Sequence, residues 1–207
     1  ALIAAGLVFA ISARAGVSRL TVVLSGVAIN AVAGAGMNTV LLVAPNVYVG
    51  SSAYLVGGFS GVLMCNLMLP ALLAAGGMVA AFCLANRLNV LSLGREAAHG
   101  LGMRTVAVRL VALAVAALLA GCAVSFGGLI GFVGLMAPHA VRRLAGHDNR
   151  VVIPLCAMCG AAFTVLCDTV ARTAFAPYEL PVGILLSLVG GPFFIYLIMA
   201  RKGFRDE

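Results

Sequence analysis

Charge is what this sequence has least of. Charged residues fill 9% of its 207 positions, and only six are acidic, whereas a soluble domain carries about 25% charge. That shortage excludes a soluble globular domain. Catalytic signatures are missing too. The chain holds no G-x-x-x-x-G-K-[ST] phosphate loop, no G-x-S-x-G elbow and no H-E-x-x-H helix. Hydrolysis of a nucleotide or a peptide at a recognised site is thereby set aside, and transport or scaffolding remains. The six cysteines all fall within apolar runs. Cys156 and Cys159 form a C-x-x-C, but no second pair lies in a loop to complete a four-ligand zinc site. They read as small packing residues instead. The chain opens at Ala1 with neither the basic flank nor the cleavage site of a signal peptide. Its first residues read as the tail of a span, and the sequence as a fragment.

What is present is apolar length. Hydrophobic residues make up 63% of the chain and mean hydropathy is +1.17. A bilayer core of ~30 Å asks for about 20 such residues per helix. Apolar stretches over 20–44, 62–85, 105–125, 127–144, 151–171 and 182–200 predict six full spans after a partial one over 1–11. The whole of 1–207 reads as one all-α, polytopic transmembrane domain. A short segment over 47–57 and a polar stretch over 86–104 interrupt the spans. Arg172 stands apart among the 13 Lys and Arg residues. The others, from Arg14 and Arg87 to Arg150 and Lys202, share one side if the loops alternate. That side is cytoplasmic by the positive-inside rule. The C-terminus is then inside, and 45–61 and 172–181 face out. The net charge of +7 follows this pattern, so no nucleic-acid partner is expected.

Few polar groups lie at membrane depth. Asp168 is the acid inside a span, one helical turn before Arg172. This is either a local ion pair that eases burial of the acid, or a setting that leaves Arg172 to meet an acidic partner outside. Ser25, Asn30, Asn38 and Thr39 share a span. Asn30 and Asn38 project to similar sides, as path-lining groups or as interhelical hydrogen-bond glue. Gly190, Gly191 and Pro192 fall near the middle of the last span. They read as a plain kink or as a break lining a pore. His139 reads as an interfacial helix end rather than a proton relay. In the inner polar stretch, Leu93, Ala97 and Leu101 fall on one stripe of a short helix that Gly102 can stop. Such a helix either docks into a soluble partner's groove or lies on the bilayer.

These residues resemble a known family. Leu91-Ser-Leu-Gly-Arg-Glu-Ala-Ala-His-Gly-Leu-Gly102 is similar to the coupling loop of FecCD-type ABC importer permeases, which import iron-siderophores, haem, cobalamin and related chelates. The likeness continues through Gly128–Arg142, Gly146-His-Asp-Asn-Arg150, Asp168-Thr-Val-Ala-Arg172, Glu179-Leu-Pro-Val-Gly183 and Gly190-Gly-Pro-Phe-Phe194, and Leu24–Asn30 fits the family's pore helix. Gly191 departs from the Ala of many relatives. The resemblance implies a fold of ten transmembrane helices, of which this chain matches the end of the fourth through the tenth. It implies a permease dimer in the bacterial or archaeal plasma membrane, with two cytoplasmic ATPase subunits and an extracytoplasmic binding protein. ATP and Mg would be held by the ATPases, with no cofactor on this chain. Leu93, Gly94, Arg95, Glu96, Ala97, Ala98, Leu101 and Gly102 would then touch the ATPase. Arg172, held by Asp168, would pair with an acidic residue of the binding protein. Ser25, Asn30, Asn38, Gly190, Gly191 and Pro192 would line the path, and 47–57 would flank the outer gate. Against this stand an ion-coupled secondary transporter, with Asp168 as its candidate carboxylate, and a non-transporting scaffold.

Overall fold

The computed structural model describes residues 2–14, 19–44, 54–60, 62–174 and 180–202. Part of the expected outer helix, 47–53, lies outside that set, as do Glu179 and Arg205 and the side chains of Arg14, Arg19, Arg95, Glu96, Arg201 and Lys202. The described residues are helical throughout their regular structure. Helix α1 spans Leu2–Arg14, α2 Arg19–Val43, α3 Met64–Ser92, α4 Arg95–Gly100, α5 Thr105–Gly127, α6 Val133–Ala145, α7 Asn149–Thr173 and α8 Val182–Lys202. Tyr54–Val56 make a further helical turn.

Helix is the form these runs must take, because a backbone in lipid has to satisfy its own hydrogen bonds. Among the described residues, α2, α3, α5 and α7 are long and apolar enough to cross a membrane, and α8 begins with the apolar stretch Val182–Tyr196. Two expectations are corrected and one open alternative is set aside. Residues 127–144 are not one span: α5 ends at Gly127, and α6 begins only at Val133 and is 13 residues long. At 1.5 Å per residue it reaches about 20 Å, short of the hydrocarbon core. The break sits at Phe132, whose φ of 64° no continuing helix can hold. Next, α3 runs on through the polar residues Asn86, Arg87 and Asn89 to Ser92, so the inner loop is shorter than 86–104. Finally, α8 is unbroken through Gly190, Gly191 and Pro192. The proline removes one donor, and the helical bonds on either side of it bridge the gap.

Helices α3 and α5 pack closely, α6 and α7 pair, and α7 also meets α3 and α8. Gly77 of α3 admits α5, since a Cβ there would stand 2.8 Å from Leu119 Cδ2. Cys167, Val182 and Leu186 form a core between α7 and α8, with Phe59, Ile130, Val133 and Phe163 against it. Elsewhere the helices turn most of their apolar surface outward, as lipid and neighbouring helices allow.

Candidate functional site: two ends of one helix

At one end of the fold, Asp168 and Arg172 lie a turn apart on α7. Arg172 Nε donates to Asp168 Oδ2 at 2.8 Å, with the side chains 41% and 26% exposed respectively. The structure thus makes the local ion pair, and it leaves the guanidinium near the surface. Asp168 also borders an apolar cleft of about 750 Å³ between α5, α6 and α7, which Phe59, Phe126, Ile130 and Thr164 help to line. Phe59 and Phe126 stack there at 6.3 Å between centroids.

Three chain segments meet close by through their backbones. Gly58 N donates to Gly127 O at 2.9 Å, Leu129 N to Tyr54 O at 3.1 Å, and Gly183 N to Gly57 O at 3.1 Å. The segment 54–58 is thereby fastened to the end of α5 and the start of α8. A Cβ on Gly128 would stand 2.5 Å from the Tyr54 carbonyl oxygen. This close approach accounts for Gly128, the first glycine of the G-L-I-G-F-V-G run. Gly190 is buried, and a Cβ on it would run into the Phe132 side chain. Its role is therefore to seat the α5–α6 break against α8.

At the other end, α4 carries the expected coupling element. Gly94 and Gly102 flank it with φ of 112° and 73°, conformations that favour glycine. Ala98 is wholly buried and anchors the helix, whereas Leu93 and Leu101 are 70% and 69% exposed and Ala97 is exposed as well. The expected single stripe is corrected: α4 holds only Ala97 of the three, because the backbone turns at Gly94 after Leu93 and the helix ends before Leu101, yet all three side chains face away from their own protein.

Beside α4 lies a polar cluster for which the sequence reading found no role. Asn89 Nδ2 donates to Asp148 Oδ1 at 2.6 Å, and Asn89 Oδ1 accepts from Asn149 N at 2.9 Å. Asp148 caps α7 by accepting from Arg150 N at 2.9 Å. Arg142 Nη2 donates to Asn149 Oδ1 at 3.1 Å, and Arg150 Nε donates to Asn86 Oδ1. The Arg150 backbone N–H and then the Asn89 amide hold the Asp148 carboxyl below its ordinary value. The one available signal was two asparagines in the last turns of a membrane helix.

The candidate path residues are spread out. Ser25 is buried, whereas Asn30 and Asn38 are exposed on α2. Helix α2 packs on α1 and not along α8, so the structure does not bring them to Gly190, Gly191 and Pro192. Cys156 and Cys159 are free thiols. Among the described residues no three His, Cys, Asp or Glu side chains gather as for a metal ion.

Comparison with known proteins gives one family. The profile of the FecCD transport family matches residues 1–200. The chain is 40% identical over 189 residues to the iron(3+)-hydroxamate import system permease protein FhuB of Bacillus subtilis, covering 91% of this chain and 49% of that protein. It is 40% identical over 206 residues to the cobalamin import system permease protein BtuC of Halobacterium salinarum, covering 98% and 54%. It is 37% identical over 180 residues to the hemin transport system permease protein HmuU of Yersinia pestis, covering 86% and 54%. The chain thus spans about half the length of these curated relatives. A solved metal-chelate type ABC transporter in an inward-facing conformation superposes with a TM-score of 0.83 at 28% identity, over 95% of this chain and 63% of that one.

Proposed function

The chain belongs to the FecCD transport family, and from that premise we propose that it forms part of the translocation path of an ATP-driven importer for a ferric siderophore or a related chelate such as haem or cobalamin. Relatives named for hydroxamate, cobalamin and hemin import support the substrate class. In this reading the permease works as a dimer with two cytoplasmic ATPase subunits that hold ATP and Mg, and with a binding protein outside. The C-terminus is cytoplasmic.

One observation carries the proposal: α4 is anchored by Ala98 while Leu93, Ala97 and Leu101 stand exposed. Exposed apolar side chains on and beside a short helix suit the groove of a soluble partner. At the far end of α7, Asp168 orients the Arg172 guanidinium, a basic group suited to an acidic residue of the binding protein. A loaded binding protein docks there, ATP-driven closure of the ATPases displaces α4, and the gates exchange. Specificity rests mainly with the binding protein, so the permease need only offer a weakly binding path.

The test is uptake into proteoliposomes by the permease reconstituted with its ATPase and binding protein, supplied in parallel with ferric hydroxamate, haem and cobalamin. ATP-dependent uptake of one of them is expected. Uptake that survives without ATP but collapses with the proton gradient would replace this reading with an ion-coupled transporter.

A further inference from the structure

We infer that Asn89 is a positioning residue that ties the coupling end of α3 to α7, so that α7 carries displacement of α4 to the Asp168–Arg172 pair. The inference rests on the importer reading above.

Asn89 lies in the last turn of α3, and only Leu93 and Gly94 separate α3 from α4. Its amide is used at both ends. The nitrogen donates to Asp148 Oδ1 at 2.6 Å and the oxygen accepts from Asn149 N at 2.9 Å. It therefore grips the first residue of α7 and the cap that precedes it. One turn back on α3, Asn86 accepts from Arg150 Nε, so α3 holds α7 at two levels. Asn149 is 8% exposed, and its side-chain oxygen takes Arg142 Nη2 at 3.1 Å, which adds α6.

Apolar packing in lipid fixes the register of neighbouring helices weakly, because lipid tails are as apolar as the side chains they replace. Directional bonds fix it. Here side-chain bonds between α3 and α7 form close to where α4 begins. Helix α7 then runs unbroken from Asn149 to Thr173. Asn149 and Arg172 stand about 35 Å apart along its axis. A displacement of α4 that moves the end of α3 thus reaches the N-terminus of α7 through bonds. It arrives at the outer pair along one continuous helix, through Pro154 in its second turn.

The experiment uses the permease reconstituted with its ATPase and binding protein. The chelate is whichever of ferric hydroxamate, haem or cobalamin stimulates the wild type, and the reading is the ratio of binding-protein-stimulated to basal ATP hydrolysis. Asn89→Asp places a second carboxylate against Asp148 and is expected to lower the ratio about fivefold or more, a coupling loss of ordinary size. The swap Asn89→Asp with Asp148→Asn removes the carboxylate pair and re-forms the 89–148 bond with donor and acceptor exchanged, while Asn149 N still donates to residue 89, and it is expected to restore most of the ratio. Readings are taken on complexes that retain their ATPase. If N89D does not assemble, Asn89→Ser replaces it, since it removes both bonds without adding charge. A wild-type ratio in the single variant, a swap that fails to restore it, or loss of assembly in every Asn89 variant overturns the inference. Absence of any stimulation in the wild type would instead overturn the importer reading.

Discussion

Leu93 and Leu101 offer the sharpest test of the coupling surface, because the structure separates their cost to the fold from their cost to a partner. Both side chains are about 70% exposed. Replacing them with serine removes little that the permease itself buries, so its own stability should change by no more than about 0.5 kcal/mol. Burying a leucine side chain fully is worth about 1.5–3 kcal/mol. Roughly seven-tenths of that remains available to a partner, or about 1–2 kcal/mol per residue. At about 1.4 kcal/mol per tenfold, each single substitution should weaken ATPase binding about 5- to 30-fold, and the double substitution about 30-fold or more. The assay is equilibrium capture of the ATPase by detergent-purified permease, with thermal unfolding followed on the same samples. Wild-type affinity in Leu93→Ser with Leu101→Ser would refute the reasoning. So would a fall in affinity matched by a fall in the unfolding midpoint, since the leucines would then belong to the permease's own packing.

Arg172→Glu should leave the fold within about 1 kcal/mol of wild type, as suits a partly exposed ion pair. It should also cut capture of the binding protein at low salt by tenfold or more, measured by surface plasmon resonance. Gly190→Val should drive a side chain into Phe132 and cost about 1–3 kcal/mol as overpacking, read as a lower unfolding midpoint in detergent. The Asp148 carboxyl is held below its ordinary value, first by the Arg150 N–H and then by Asn89. A depressed acid stabilises above its unfolded pKa and loses that contribution as pH falls through the folded one. The clasp should therefore weaken only below about pH 4, and Asp148→Asn should lower the neutral plateau of the stability curve and flatten its acid limb.

Much of the fold was legible because apolar length is a local property. The runs that became α2, α3, α5 and α7 announce themselves by composition; the spacing of Leu93, Ala97 and Leu101 pointed to a short helix there, although only Ala97 of the three lies within α4. Hydropathy does not report dihedral angles, so the run through Gly128 and Phe132 looked like one span although the backbone turns there. Nor does composition decide between a kink and a break at Gly190, Gly191 and Pro192; the structure uses the first glycine to admit an aromatic ring from another segment and keeps the helix whole. The Asp168–Arg172 pair was readable from its four-residue interval. The bond between Asn89 and Asp148 was not, because its partners lie 59 residues apart and nothing local marks either of them as half of a pair.

The length of α3 sets how far α4 stands from the apolar layer. Its 29 residues extend about 44 Å, well beyond the ~30 Å hydrocarbon layer. The apolar part from Met64 to Ala85 is enough to cross that layer. The remaining turns, beginning at Asn86, climb about 10 Å through the headgroups, deeper than one interfacial leaflet requires. The helix thus acts as a stilt that lifts Leu93 and α4 clear of the lipid surface. In the proposed importer, that would let a water-soluble ATPase grip them without shedding its own hydration against the membrane.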